Sequence, residues 1–294
     1  GGASMGLNIV FGIDTTPAAA ISGILGILLF ASPKMGGVLD NTAKVLGTVM
    51  LVLIGYVAFS TNPPIAEAAT HAIVPTNYPW LATITLIGGT VGGYITFSGG
   101  HRLIDAGITG REHLKDVRRA AFMGMSVDAI VRILLFLAVL GVVSMGFALD
   151  PKDPAGSAFL LGAGEIGHKL FGIVFFCAAL TSVVGAAYTS VSFLKTLFKV
   201  VERYEKLTIM AFIFVSTCIL IFIGKPATLL IVAGSVNGLI LPVTLAVMLL
   251  ATRKTNIVGD YKHNPILFYT GWIVVLVTAY IGITSLQGIA KLLG

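Results

Sequence analysis

The sequence predicts an all-α polytopic membrane protein, and three observations predict it. Of 294 residues, 56% are hydrophobic and only 11% charged, and the mean hydropathy is +0.96. One water-soluble core would not use that much apolar surface. The apolar residues gather into eight stretches, each long enough to cross the hydrocarbon as a helix. The cations between those stretches alternate in density from one loop to the next, as the positive-inside rule expects of a multi-pass chain.

In chain order the eight spans are expected at 7–31, 43–62, 80–100, 120–148, 169–194, 207–224, 226–251 and 265–288. Gly224, Lys225 and Pro226 separate the sixth from the seventh, a tight turn that stops one helix and starts the next. The longest polar loops, 63–79 and 149–168, contain Pro and Gly and read as connectors. No linker interrupts the series, so residues 1–294 form one transmembrane domain. Of the 19 Lys and Arg residues, 14 lie at 31–42, 101–119, 195–206 and 252–264 with their flanks, four lie at the intervening ends, and Arg132 lies within a span. This places loop 101–119, with Arg102, Arg111, Lys115, Arg118 and Arg119, in the cytoplasm of a cell-membrane protein and the N-terminus of the chain outside. GGASMG has neither the charged start nor the cleavage site of a signal peptide. An odd number of spans upstream of residue 1 is therefore expected, and the chain reads as a truncated one.

Several function classes are set aside. Cys177 and Cys218 lie within apolar runs and read as small core residues, not as a disulfide or zinc site. The net charge of +6 is explained by the membrane loops, so nucleic-acid binding is not expected. The sequence has no HExxH, no GxSxG and no phosphate-binding glycine loop, and it is not read as an enzyme.

The third span, within LIGGTVGGYITFSGGHRLIDAG, holds Gly88, Gly89, Gly92 and Gly93 near the bilayer midplane, between Trp80 and the basic loop. Each glycine costs a helix about 1 kcal/mol relative to alanine. Two readings stay open. Unwound backbone at that depth is tolerated where it lines a cavity, and broken helices supply substrate sites in secondary transporters. Small residues at spacing four, such as Gly88 with Gly92, equally serve close helix packing. Thr90, Tyr94, Thr96 and Ser98 surround the glycines and would suit a polar substrate or an interhelical hydrogen bond. His101 closes the segment as a proton carrier or an interface anchor.

In the fourth span Asp128 and Arg132 are four residues apart and share a helix face. Ionisable residues at that depth usually face the bundle interior, as a relay, a gate or a buried pair that locks two helices. CAALTSVVGAAYTSVSFLK in the fifth span offers a Gly/Ser/Thr face suited to packing. Asn237, Glu67 and Asp14 are single polar residues, Asp14 resembling a helix entry near Pro17.

The order of these elements resembles that of the natural resistance-associated macrophage protein family of divalent metal transporters, which have the LeuT-type inverted-repeat fold. GLNIVFGI resembles the start of that family's fourth helix, TVGGYITFSGGHRL its broken sixth and AALTSVVGAAYTSVSFL its eighth. The resemblance spans helices four to eleven, which implies that three earlier helices are missing and explains the external N-terminus. The family's metal-binding Asp and Asn belong to the first helix, absent from this sequence. Where the family has Met-Pro-His in its sixth helix, this chain has Gly92, Gly93 and Tyr94. Soft sulfur is lost, so a harder, oxygen-liganded ion such as magnesium, or a small organic substrate, fits this site better than manganese or iron.

The resemblance thus implies a secondary transporter working by alternating access, with a proton-linked step and a divalent cation as substrate rather than cofactor. Thr90, Val91, Gly92, Gly93, Tyr94 and Thr96 would bind the substrate, with the Val91 and Gly92 carbonyls as metal ligands, and His101, Asp128 and Arg132 would form the relay or gate. The alternatives are a carrier of a small organic acid or amino acid on the same fold, and a non-transporting membrane subunit. Besides a small ion or polar substrate, the expected partner is the lipid bilayer.

Overall fold

Backbone amides in hydrocarbon must be satisfied within their own segment, so apolar runs of this kind fold as helices. The computed structural model of the chain describes residues 1–31, 33–91 and 100–293, with the side chains of 33–44, 101, 102, 105, 287 and 289–293 outside the description. The described residues form α1 (Gly2–Phe11), α2 (Thr15–Ala31), α3 (Pro33–Ser60), α4 (Ile65–Ile73), α5 (Trp80–Thr90), α6 (Gly100–Asp105), α7 (Leu114–Ser144) and α8 (Pro154–Leu197). They continue with α9 (Lys199–Arg203), α10 (Glu205–Ile223), α11 (Pro226–Ala251), α12 (Thr255–Val258) and α13 (Pro265–Leu293). Among them α7, α8, α10, α11 and α13 are each long and apolar enough to cross a membrane alone.

Four segments differ from the sequence reading. The stretch 7–31 is not one straight span, because α1 and α2 meet at 118°. Gly12 stops α1 in the left-handed region at φ 68, which a side chain would resist, and its amide bonds to the Asn8 carbonyl at 2.8 Å. Asn8 also donates from its side chain to the Ile13 carbonyl at 2.9 Å, fixing the turn, and α2 restarts with Pro17 in its first turn. The expected loop 31–42 is largely helical, because α3 begins at Pro33. The loop 63–79 contains α4, bent 102° from residues 45–60.

The fourth difference is the connector 149–168, most of which belongs to α8. Asp153 caps that helix, its Oδ1 accepting from the Gly156 amide at 2.9 Å. Gly164, at φ 66 and ψ −171, then kinks the helix. His168, one turn beyond the kink, reaches back to within 4.0 Å of Asp153. Burial raises the Asp153 carboxyl above its ordinary value, opposed by the Gly156 hydrogen bond and by His168.

The helices sort into two compact units. The first comprises residues 1–76 and 104–227. Its largest cluster joins Ile9, Ile54, Val57, Val142, Phe159 and Phe171, with the Phe159 and Phe171 rings stacked at 4.5 Å. There α1 lies directly on α8, because a Cβ at Gly6 would fall 2.8 Å from the Gly172 carbonyl oxygen. Lys169 donates to the Val10 carbonyl at 3.1 Å, supplying a donor where the end of α1 has none of its own. The second unit comprises residues 77–103 and 228–294, in which α5 packs against α11 and α13.

Candidate functional site

Within the second unit, α5 begins just after Pro79 with Trp80, which stacks on Tyr78 at 5.1 Å and meets the edge of Tyr280 of α13 at 5.6 Å. One face of α5 then carries Ile84, fully buried, and Gly88. Gly88 lies so close to α11 that a Cβ there would overlap the Gly234 carbonyl oxygen and crowd the Gly238 amide. A Cβ at Gly238 would in turn fall 2.5 Å from the Ile84 carbonyl oxygen. Backbone meets backbone along this line, with glycines at 234 and 238 in the small-xxx-small spacing. Gly89, the next residue, would meet nothing within 4 Å. Of the two readings of the glycines, packing therefore holds for Gly88. Its propensity cost does not open the helix, because the approach to α11 requires the missing side chain.

Polar connections between described residues cross this seam. Thr85 and Ser235 hydroxyls lie 2.7 Å apart, while Thr85 is also 2.7 Å from the Leu81 carbonyl and Ser235 2.8 Å from the Ile231 carbonyl. Two hydroxyl protons serve three contacts, so donation runs along the chain in one direction or the other. Ser235 is completely buried. Further along, Asn237 donates from Nδ2 to the Gly88 carbonyl at 2.9 Å. Gly88 belongs to the last turn of α5, and Asn237 gives its carbonyl a donor from the neighbouring helix. Asn237 thus ties down the end of α5 without needing a charge.

The last turn closes as Val91 donates to the Ile87 carbonyl at 2.9 Å, and Thr90 and Val91 stand exposed beyond the seam. They occupy the negative end of the helix dipole. Gly92, Gly93, Tyr94 and Thr96, the rest of the expected substrate site, lie outside the described residues. His101 belongs to α6, with its side chain outside the description.

Asp128 and Arg132 belong to α7 in the first unit. Arg132 Nε donates to Asp128 Oδ2 at 2.8 Å, the i,i+4 pairing that the sequence expects. The pair does not face the interior of that unit, since the two side chains are 48% and 42% exposed. The inward positions of α7 are taken instead by Val131, Leu135, Ala138 and Val142, which pack with residues of α3 and α8. Among the described residues, no three His, Cys, Asp or Glu side chains come together as a metal cluster.

The small-residue face of α8 is a packing surface: Ala187, Thr189, Ser190, Val191 and Ser192 are buried, and Thr189 and Ser190 donate to the carbonyls of Gly185 and Ala186 at 2.8 Å each. Asn237, which the sequence reading takes only as a single polar residue, and Ser235, which it does not name, are the residues of consequence to which sequence reasoning gives no role. Their signal was the word GSVNG, two glycines at close-packing spacing with polar residues between them.

A family model described as natural resistance-associated macrophage protein-like (Nramp) matches residues 1–287. The chain belongs to the Nramp family. It is 50% identical over 279 residues to a protein of Haemophilus influenzae named "Uncharacterized membrane protein", covering 95% of this chain and 70% of that one. It is 48% identical over 286 residues to the "Uncharacterized membrane protein YcsG" of Bacillus subtilis, covering 97% and 71% respectively. Nramp proteins are divalent metal ion transporters, not enzymes, so membership carries the general function of metal ion transport by an all-α, multi-pass membrane protein.

Proposed function

We propose that this Nramp protein is a secondary active transporter of a divalent cation of the magnesium or manganese class, working by alternating access with a proton-linked step. The observation that carries the proposal is the end of α5 at Thr90, inside an apolar segment that the sequence extends to residue 100, with its last turn fastened to α11 through Asn237 and Gly88. A half-helix that ends at membrane depth presents carbonyl oxygens and the negative end of its dipole, which favour a cation. A carboxylate substrate would seek a helix N-terminus, so the organic-acid reading receives no support from this end.

Substrate ligands on this chain would be the Val91 and Gly92 carbonyls, with Thr90, Gly93, Tyr94 and Thr96 shaping the site. All of the heteroatoms that these residues offer are oxygen or nitrogen, so a hard cation that keeps part of its water shell suits the site better than a sulfur-seeking one. Asp128 and Arg132, together with His101, would act as the relay or gate: an exposed charged pair on a spanning helix can trade its internal partner for a proton or a neighbouring charge.

Uptake into proteoliposomes tests this reading. Magnesium or manganese flux that saturates, rises with an inward proton gradient and falls at least tenfold in Gly93→Leu is the expected result. Organic-acid flux without metal dependence would replace the substrate assignment. No flux of either kind in folded protein would favour a non-transporting subunit.

A further inference from the structure

In the second unit, α11 ends at Ala251 and α13 begins at Pro265, and both helices are long and apolar enough to span a membrane. The segment that joins them encloses a pocket of about 270 Å³ that lies where these two spans leave the apolar zone. Its lining is cationic and rich in donors, with Arg253, Lys262, His263, Thr255 and Tyr261 around a wall formed by Phe268. Asp260 is the single carboxylate of residues 252–264 and is absent from the lining, whereas the same stretch holds three permanent cations.

The shape of the pocket is held by local bonds. The Gly259 amide donates to Thr255 at 2.8 Å and the Tyr261 amide to Val258 at 3.2 Å, so Tyr261, Lys262 and His263 turn back toward Arg253. Asn264 caps α13, its side-chain oxygen accepting from the Ile266 amide at 2.8 Å. The Arg253 guanidinium stands 4.2 Å from the centre of the Phe268 ring, so stacking holds its charge at the wall of the pocket. Leu250, Ile266, Leu267 and Tyr269, within two residues of lining positions in the chain, are all more than half exposed and form apolar surface on the two spanning helices.

A cationic pocket that opens onto exposed apolar helix faces matches a molecule with an anionic head and hydrocarbon tails. We propose that this pocket binds the phosphodiester head group of an anionic phospholipid, with Arg253 and Lys262 on the phosphate and the acyl chains along the start of α13. The positive-inside reading assigns residues 252–264 to the cytoplasmic side, where the lipid would come from the inner leaflet. Stacked Arg253 offers a planar donor fork to phosphate oxygens, and Lys262 adds a mobile point charge. The site is separate from the cation path proposed above and does not depend on it.

Native mass spectrometry of the purified protein, exposed to equal amounts of dioleoylphosphatidylglycerol and dioleoylphosphatidylcholine, reads the occupancy. Preferential retention of the phosphatidylglycerol is expected, with a loss of about fivefold for each of Arg253→Gln and Lys262→Gln, the equivalent of about 1 kcal/mol per basic residue near an anionic surface. Lys254→Gln removes a charge from the same segment but outside the lining, and a change below twofold is expected. Thermal unfolding of each variant separates loss of the lipid from loss of the fold, and Lys262→Gln changes only an exposed side chain. Equal retention of the two lipids overturns the proposal, as does an equal loss in Lys254→Gln, which would reveal only a diffuse basic surface. Thermal stabilisation by inorganic phosphate without any lipid preference would assign the pocket to a free anion and overturn it as well.

Discussion

The seam between α5 and α11 and the Asp128–Arg132 pair of α7 both place polar groups in apolar helices, and they satisfy them in opposite ways. At the seam, Thr85 meets Ser235 and Asn237 meets the Gly88 carbonyl, so polar groups of one helix are satisfied by another. On α7, Asp128 and Arg132 satisfy each other within a single turn and stand half exposed. Contacts that cross between helices set where a helix lies and ends. A pair closed within one helix does not fix its neighbours, and its charges stay available for exchange. The first arrangement suits the frame of a site, the second a moving part.

The sharpest way to break this comparison is at the two adjacent glycines. Gly88→Ala is expected to cost about 3 kcal/mol or to prevent folding, because the new Cβ meets backbone atoms of α11 that no rotamer change can move. Gly89→Ala, with open space around it, is expected to be neutral or stabilising by up to about 1 kcal/mol. Thermal unfolding in detergent reads both, and equal effects would show that the seam is not the tight contact described.

A smaller effect is expected at Asn237. Asn237→Leu removes the donor to Gly88 and should destabilise by about 1 to 2 kcal/mol, within the range found for interhelical hydrogen bonds in membranes. Its effect on metal uptake should exceed its effect on unfolding, since it frees the end of α5. Uptake that only tracks stability would reduce Asn237 to a packing residue.

The smallest stability effect belongs to the ion pair. Asp128→Asn combined with Arg132→Gln should shift unfolding by no more than about 0.5 kcal/mol, the scale of an exposed i,i+4 pair. Cation uptake should nevertheless fall severalfold and lose part of its dependence on the proton gradient. Unchanged uptake would remove the pair from the relay and leave it as a local helix contact.

Much of the architecture was legible along the chain because the bilayer imposes a simple length rule on apolar helices. The ends of α10 and α11 around Gly224 and Pro226, and the pairing of Asp128 with Arg132, follow from capping and from a period of 3.6 residues. The bend at Gly12 was missed because Ile13 continues the apolar run and hydropathy does not register a left-handed glycine. The helical part of 149–168 was missed because Pro154 and Gly164, which usually mark loops, here sit at a helix start and at a kink. Glycines mark the candidate substrate segment in the sequence, yet nothing in residue order distinguishes Gly88 from Gly89.

The sequence by itself determined that this chain is an apolar, all-α, multi-pass membrane protein of the Nramp kind, because hydrophobic length, cation placement and family wording are all properties of residues in order. Only the tertiary structure decided that Gly88 is a packing contact, that Asn237 holds the end of α5, and that Asp128 and Arg132 face outward from their unit. The reason is physical. Whether a glycine is needed for closeness, or a polar side chain for a particular carbonyl, depends on what lies across the gap, and for α5 that neighbour is more than a hundred residues away in the chain.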